Sequence, residues 1–386
     1  MSVWIEDSPR NLAPWIIESV GSGIASGAVI TPWATPFNQE AGAGKKPSAA
    51  NRIAELQAAG VDVMFDPMTH VLQMSGVGDL RFYDEYDLWA GPRGDLSDQA
   101  LIEGHVDKVF AIQDSLNVSH CAPTVLLHSG LEMFSVVALN VAREAIRRDP
   151  HTVLTIAGTP PFWASGAALD AHIGALASLD PSAWVLTVVR TTETELPLTV
   201  QAEEVHGLCR TTRALSADAP VHISHGDLAG LPAVAAGAST LGSGWDQRQR
   251  FCGYGHYGPR GPGSDGGGGW FKRPTLRGLL GVIKSNEGIV LNSRDPGLVA
   301  RLGGLPVDAP REAFDHHLAT LTAVVDAIKA EQDWEAKYRL LAALYDAANA
   351  DWPAVQREAS TTTTARHWIA GPAGGLALYA RTEGWP

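Results

Sequence analysis

Short apolar, β-branched runs ending in small or polar residues alternate along this chain with longer stretches whose apolar positions recur at helical spacing. Val3 to Ile5 breaks at Glu6, Asp7, Ser8 and Pro9, and NLAPWIIESVGSGIA then predicts a helix with Asn11 as its N-cap. GAVITP, a helix around SAANRIAELQAAG closed by Gly60, and the strand VDVMFDP follow. From about Thr69 to Leu101 the pattern is interrupted by a stretch carrying FYDEYDLWAGPRGD, a connection of a length that is usually functional or a lid.

The alternation then resumes and becomes more regular. The helix HVDKVFAIQDSL leads to the strand PTVLLHS, SVVALNVAREAIRRD to HTVLTIAG, and ALDAHIGALASL to WVLTVVR. AEEVHGLCRTTRALSAD precedes PVHISHG, and the short helix LAGLPAVAAGA precedes STLGSGWD. These are eight strands and seven helices, with strands apolar enough to be buried on both faces. Roughly 250 residues in this order predict an α/β fold, a closed (β/α)8 TIM-type barrel, over an open doubly wound sheet. A G-x-G-x-x-G after the first strand, which the open sheet would favour, is missing.

Beyond Arg250 the character changes. Residues 251–273, in the stretch carrying GYGHYGPRGPGSDGGGGWFKRP, form a Gly/Pro-rich loop that reads either as a lid over the barrel mouth or as a flexible linker. PTLRGLLGVI, with its leading Pro, reads as the eighth barrel helix. From Asp308 a sustained helical period predicts a helical hairpin that packs beside the barrel or on a second copy of the chain. The expected division is thus a barrel over residues 1–285 and a mainly helical C-terminal extension over 286–386. The last stretch, with Gly371, Gly374 and Gly375, predicts no element.

Composition narrows the function. The chain has 386 residues, is 45% hydrophobic and 18% charged, and carries a formal charge of −13, which rules out disorder and repels phosphate backbones. The charge therefore does not support tRNA or DNA as a partner and leaves a small-molecule or nucleobase-containing substrate. The three cysteines, Cys121, Cys209 and Cys252, are far apart without C-x-x-C spacing, which suits reduced thiols. The acidic start MSVWIEDSPR and the lack of an apolar run of about 18 residues lead to an expectation of a cytoplasmic protein without membrane contact.

In such a barrel the chemistry sits where strands end, which converts position into a candidate set. Glu6 and Asp7 follow strand one, Asp66 and His70 strand three, His128 strand four, Arg190 strand six, His225 and Asp227 strand seven, and Trp245, Asp246, Arg248 and Arg250 strand eight. Asp66 and Asp246, on non-neighbouring strands, could face each other across the mouth and divide nucleophilic from acid/base roles in glycosyl chemistry. An acidic residue after a strand is also the ordinary cap of the next helix. His70, His128, Arg190, His225, Asp227, Ser243, Gly244, Trp245 and Arg248 are the candidate substrate-binding set. Arg190, Arg248 and His225 would hold polar or anionic groups, and the loop at Ser243 and Gly244 would supply N–H donors for a phosphate. Trp33, Trp89, Trp163, Trp245 and Trp270 fall in mouth loops where flat faces stack on a sugar or base. A divalent metal held by the histidines and carboxylates is the alternative to a cofactor-free site. Against it, alternation points His222 and His225 of VHISH in different directions.

VHISHGDLAGLPAVAAGASTLGSGWDQRQR resembles the last two strand units of tRNA-guanine transglycosylases, and FDP at Asp66 is placed like that family's other catalytic Asp. The resemblance implies a barrel acting at an N-glycosidic bond, with Asp246 as nucleophile and Asp66 as acid/base. The chain departs from the family in lacking the C-x-C-x-x-C zinc cluster, with only Cys252 and His256 in that region. The leading expectation is a barrel enzyme for glycosyl or base transfer, or glycosidic cleavage. The other two are a metal-dependent hydrolase and a non-catalytic scaffold subunit that assembles through the C-terminal helices.

Overall fold

The computed structural model describes residues 3–10, 12–40, 46–191, 196, 198–259, 273–361 and 366–386. Its first half runs β1 (Val3–Ile5), α1 (Ala13–Gly21), β2 (Gly27–Ile30), α2 (Ala49–Ala58), β3 (Asp62–Phe65), α3 (Gln99–Ser115), β4 (Leu126–Leu127) and α4 (Met133–Arg148). Then come β5 (Val153–Gly158), α5 (Pro160–Trp163), α6 (Ala167–Ala177), β6 (Ala183–Arg190), α7 (Ala202–Leu215), β7 (Val221–Ser224), α8 (Leu231–Ala235), β8 (Thr240–Ser243), α9 (Gln247–Arg250) and β9 (Cys252–Gly253). The strand and helix order expected through β8 is the order observed, with one additional short helix, α5, after β5. Asn11 lies outside the described residues, while α2 begins with the Ser48 hydroxyl accepting from the Asn51 N–H.

Strand order is β3-β2-β1-β8-β7-β6-β5-β4. Every pair on this path is parallel. Because β1 bonds to both β2 and β8, the sheet curls back on its own start, as a (β/α)8 barrel does. Among the described residues the ring is open only between β3 and β4, and side chains bridge that seam. Gln113 Nε2 donates to the carbonyls of Phe65 (3.1 Å) and Cys121 (2.9 Å), and its Oε1 accepts from Cys121 N–H (3.2 Å). Thr69 Oγ1 donates to Thr124 O (2.7 Å) and accepts from Thr124 N–H (3.0 Å). The interruption before α3 thus closes the barrel. Its aromatics Tyr83, Tyr86 and Trp89 are buried, so it is built into the core.

The second half corrects one expectation. Residues of PTLRGLLGVI form β10 (Thr275–Leu276) and β11 (Gly281–Val282), an antiparallel pair joined by one 3₁₀ turn (Arg277–Leu279) and turned at Leu280 in the left-handed region (φ 44°), so no α-helix forms there. After α10 (Ser285–Arg294) and α11 (Pro296–Arg301), α12 (Pro310–Ala330) lies against α8 and β1 and takes the place of the eighth barrel helix. Phe314 of α12 packs on Trp15 of α1 at 5.4 Å, and Arg311 pairs with Glu18 at 3.1 Å. α13 (Trp334–Ala359) completes the expected hairpin. The final segment is α14 (Arg366–Thr382), docked along α7. Its glycines permit that approach: a Cβ at Gly371 would run into the Val200 carbonyl, and one at Gly375 into Ala202 O and Val205. Among the described residues no helix is long and apolar enough to cross a membrane.

Candidate functional site

Pairing register fixes which side chains enter the barrel. Trp4 pairs with Gly242 and Gly27, Thr187 with Ser224, and His222 with Thr240, so alternation puts Glu6, Thr187, His222 and Gly242 on one face. Contacts place that face inside the barrel. Glu6 Oε1 accepts from the His225 backbone N–H (2.8 Å) and lies 3.4 Å from His222 Nε2. Gly242 leaves the room: a Cβ there would collide with the Glu6 carboxylate. His222 Nδ1 meets the Thr240 hydroxyl at 2.8 Å, which orients its ring toward Glu6.

His222 and His225 converge on this carboxylate, whereas strand alternation predicted divergence. The reason is backbone geometry: His225 and Asp227 adopt φ of 51° and 44°, so the chain turns sharply after β7 instead of continuing extended. His225 Nε2 then stands 3.9 Å from Glu6 Oε2, and its Nδ1 faces the Gln249 carbonyl at 3.3 Å. Burial opposes ionisation of Glu6, but the His225 and His222 rings more than reverse it and bring the carboxyl down to about 2.

Asp66, at the end of β3, is also buried. Its Oδ1 accepts the Met68 N–H at 2.8 Å, yet burial, with Glu6 adding repulsion, pushes it up to about 6. Glu6, His225 and His222 are the charges that act on it. His70 and Cys252 are buried beside one another, with Nε2 and Sγ 3.9 Å apart; burial brings His70 down to about 3, and burial, with Asp66 and Glu6 adding repulsion, pushes the Cys252 thiol up. Cys252 is held by β9, which extends beside the end of β6 through Val189 and Arg190. Glu6 Oε2, His70 Nδ1, His225 Nε2 and Thr187 Oγ1 are buried without a hydrogen-bond partner. Buried polar atoms are normally satisfied, so these four atoms are candidate contacts for a ligand.

The remaining expected residues are placed differently. Asp246 is the N-cap of α9, accepting from Gln249 N–H (3.3 Å) and from the Ser8 hydroxyl (3.0 Å), and burial raises its pKa. Gln249 in turn holds the N–H groups of Trp245 (2.7 Å) and Asp246 (3.1 Å) and donates to the Glu6 carbonyl (2.5 Å). The N–H groups of Trp245 and Asp246, which follow Ser243 and Gly244 in this loop, are thereby occupied, and Gly244 is the close approach that admits the Gln249 side chain. Ser243 donates to Asp227 (2.7 Å), which also pairs with Arg250 (2.9 Å) and with His317 of α12 (3.1 Å); despite burial these partners hold Asp227 well below the usual carboxylate range. His128 is exposed and meets Thr159 at 3.3 Å, away from Glu6.

The arginines expected to hold anions each have a carboxylate of their own. Arg190 pairs with Glu204 (2.5 Å), Arg248 with Asp79 (3.1 Å) and Arg250 with Asp227; Arg52, which carried no such expectation, pairs with Asp7 (2.8 Å). The tryptophans are likewise committed. Trp33 stacks on Tyr83 at 4.4 Å, Trp89 on His105 at 3.9 Å, Trp163 donates to Gly158 O, and Trp245 meets Trp15 edge-on at 5.4 Å; Trp270 lies outside the described residues. They are core rather than stacking platforms. Among the described residues no three His, Cys, Asp or Glu side chains are grouped so as to hold a metal ion. Glu6 was visible in sequence as a residue after a strand, whereas His222, Cys252, Gln249 and His317 carried no signal beyond residue type.

No family model matches the chain, and no curated protein matches its sequence. Solved structures with some likeness include a psychrophilic glycoside hydrolase family 10 endo-β-1,4-xylanase (10% identity, 62% of this chain, 84% of that one, TM-score 0.34). A Thermobacillus composti family 10 xylanase matches at 10% identity over 66% of this chain and 84% of its own, TM-score 0.37. A probable tagatose 6-phosphate kinase from Sinorhizobium meliloti 1021 matches at 11% identity over 100% of this chain and 98% of that one, TM-score 0.33. None of these three is a tRNA-guanine transglycosylase. Scores this low carry no argument about function, and the barrel rests on the strand order itself.

Proposed function

We propose that this barrel is an acid–base enzyme that cleaves or transfers at a glycosidic bond of a sugar- or nucleoside-like ligand, with Asp66 and Glu6 as its paired carboxyls. One observation carries the reading: two buried carboxyls inside the same barrel, with Asp66 raised to about 6 and Glu6 lowered to about 2. Separated pKa values are how two carboxyls take two roles. Asp66, neutral in mildly acidic solution, gives its proton to the leaving oxygen or nitrogen. Glu6, ionised in the same mildly acidic range, stabilises the positive charge that develops on the sugar carbon, and water then supplies the hydroxyl while its proton returns to Asp66. His222 and His225 hold the Glu6 carboxylate in place.

Asp246 enters as a positioning residue, since it caps α9 and α9 carries Gln249 to the Glu6 backbone. The test is release of reducing sugar or free base from a panel of disaccharides and nucleosides. D66N should lower turnover by at least about 100-fold with folding intact. D246N, which keeps a capping acceptor, should stay within a few-fold of wild type. Full turnover in D66N, or loss confined to D246N, would overturn the assignment.

A further inference from the structure

We infer that the ligand of this site is a neutral polyhydroxylated molecule, recognised by a hydroxyl that bridges His225 Nε2 and Glu6 Oε2, and that phosphorylated ligands are excluded. The inference rests on the acid–base reading of the same site and adds the class of ligand. Its first support is the gap itself. The two atoms are 3.9 Å apart, too far to bond directly, and both are buried without a hydrogen-bond partner. In the ion-paired form His225 directs Nε2–H into the gap while Glu6 offers only a lone pair. One hydroxyl satisfies both, because its oxygen accepts from nitrogen and its proton goes to the carboxylate. An oxygen about 2.8 Å from each atom subtends an angle near 90°, which a hydroxyl tolerates. His70 Nδ1 and Thr187 Oγ1 are further buried polar atoms for neighbouring hydroxyls.

The second support is the charge inventory. A phosphate beside ionised Glu6 needs a cation beyond the His222 and His225 rings that already face Glu6, and four arginines are already paired: Arg52 with Asp7, Arg190 with Glu204, Arg248 with Asp79 and Arg250 with Asp227. Recruiting any of them would leave a buried carboxylate uncompensated. In the loop after β8 the N–H groups of Trp245 and Asp246 are taken by Gln249, which removes two backbone donors a phosphate could have used.

The experiment is calorimetric titration of the full chain with D-ribose, D-xylose, D-glucose, myo-inositol and adenosine, and in parallel with ribose 5-phosphate, glucose 6-phosphate and AMP. At least one neutral compound should bind, its phosphorylated counterpart at least about tenfold more weakly, and H225Q should lose about tenfold for the neutral one. Tighter binding of the phosphorylated member of a pair, or no heat from any neutral compound at millimolar concentration, overturns the inference. The wild-type comparison requires no variant, so misfolding of H225Q cannot obscure it. Titrations repeated with D66N separate the two claims. Unchanged neutral-sugar binding together with full D66N turnover would remove the acid–base reading and leave the ligand class standing, whereas phosphate preference with D66N-sensitive turnover would do the reverse.

Discussion

Asp66 and Glu6 pull the pH dependence of stability in opposite directions. Asp66 titrates near 6 in the fold against 3.8 in an unfolded chain, so the folded state holds this proton more tightly. Its ionisation therefore costs stability, nothing below about pH 4 and the full amount above about pH 6. D66N, which can still accept the Met68 N–H, should be more stable than wild type by about 2–3 kcal/mol at neutral pH, with the gain vanishing in denaturant titrations below about pH 4. Glu6 is the reverse case: its folded value of about 2 lies below 4.5, so its contribution is present above about pH 4.5 and is lost as pH falls toward 2. G242A addresses the same carboxylate sterically. The added methyl collides with Glu6 Oε1 and should destabilise the chain by about 1–3 kcal/mol in urea unfolding.

At the scale of elements, the seam between β3 and β4 is where side chains replace strand pairing. Gln113 joins Phe65 at the end of β3 to Cys121 in the stretch leading into β4, beside the Thr69–Thr124 pair. Gln113→Leu keeps the volume but leaves the Cys121 N–H and two carbonyls unsatisfied, for a loss of about 2–3 kcal/mol. The same measurement should show no change in the far-UV signature of the remaining helices. The order of elements was legible in the sequence because each strand is an apolar run and each helix a 3.6-residue pattern. PTLRGLLGVI was misread since its leucines sit at helical spacing, while Gly278 and Gly281 are there for close packing against Leu302 and Trp368. The α14 glycines produced the converse error, reading as breakers when they are the contact face on α7.

At the scale of the molecule, the C-terminal helices belong to the site's support. α12 fills the eighth helical position and sends His317 to Asp227 and Ser243 behind the β7–β8 turns, while α14 covers α7. G375A, whose methyl meets Ala202 O and Val205, should lower global stability by about 1–3 kcal/mol and flatten the unfolding transition if α14 detaches first. The candidate site was only half legible in sequence for a related reason. Asp66 and the strand-end position of Glu6 follow from barrel geometry, but which carboxylates meet depends on the left-handed turn at His225 and on Gln249 drawing Asp246 into a cap. Neither leaves a periodic mark on the chain. The central claim is the division of labour between two carboxyls, and the direct measurement is carbon-13 NMR titration of carboxyl-labelled Asp and Glu in wild type and D66N. The account predicts one carboxyl titrating near pH 6 that disappears in D66N, and a Glu6 resonance, assigned by E6Q, that stays ionised to about pH 2–3. Both groups titrating together near pH 4 would contradict it.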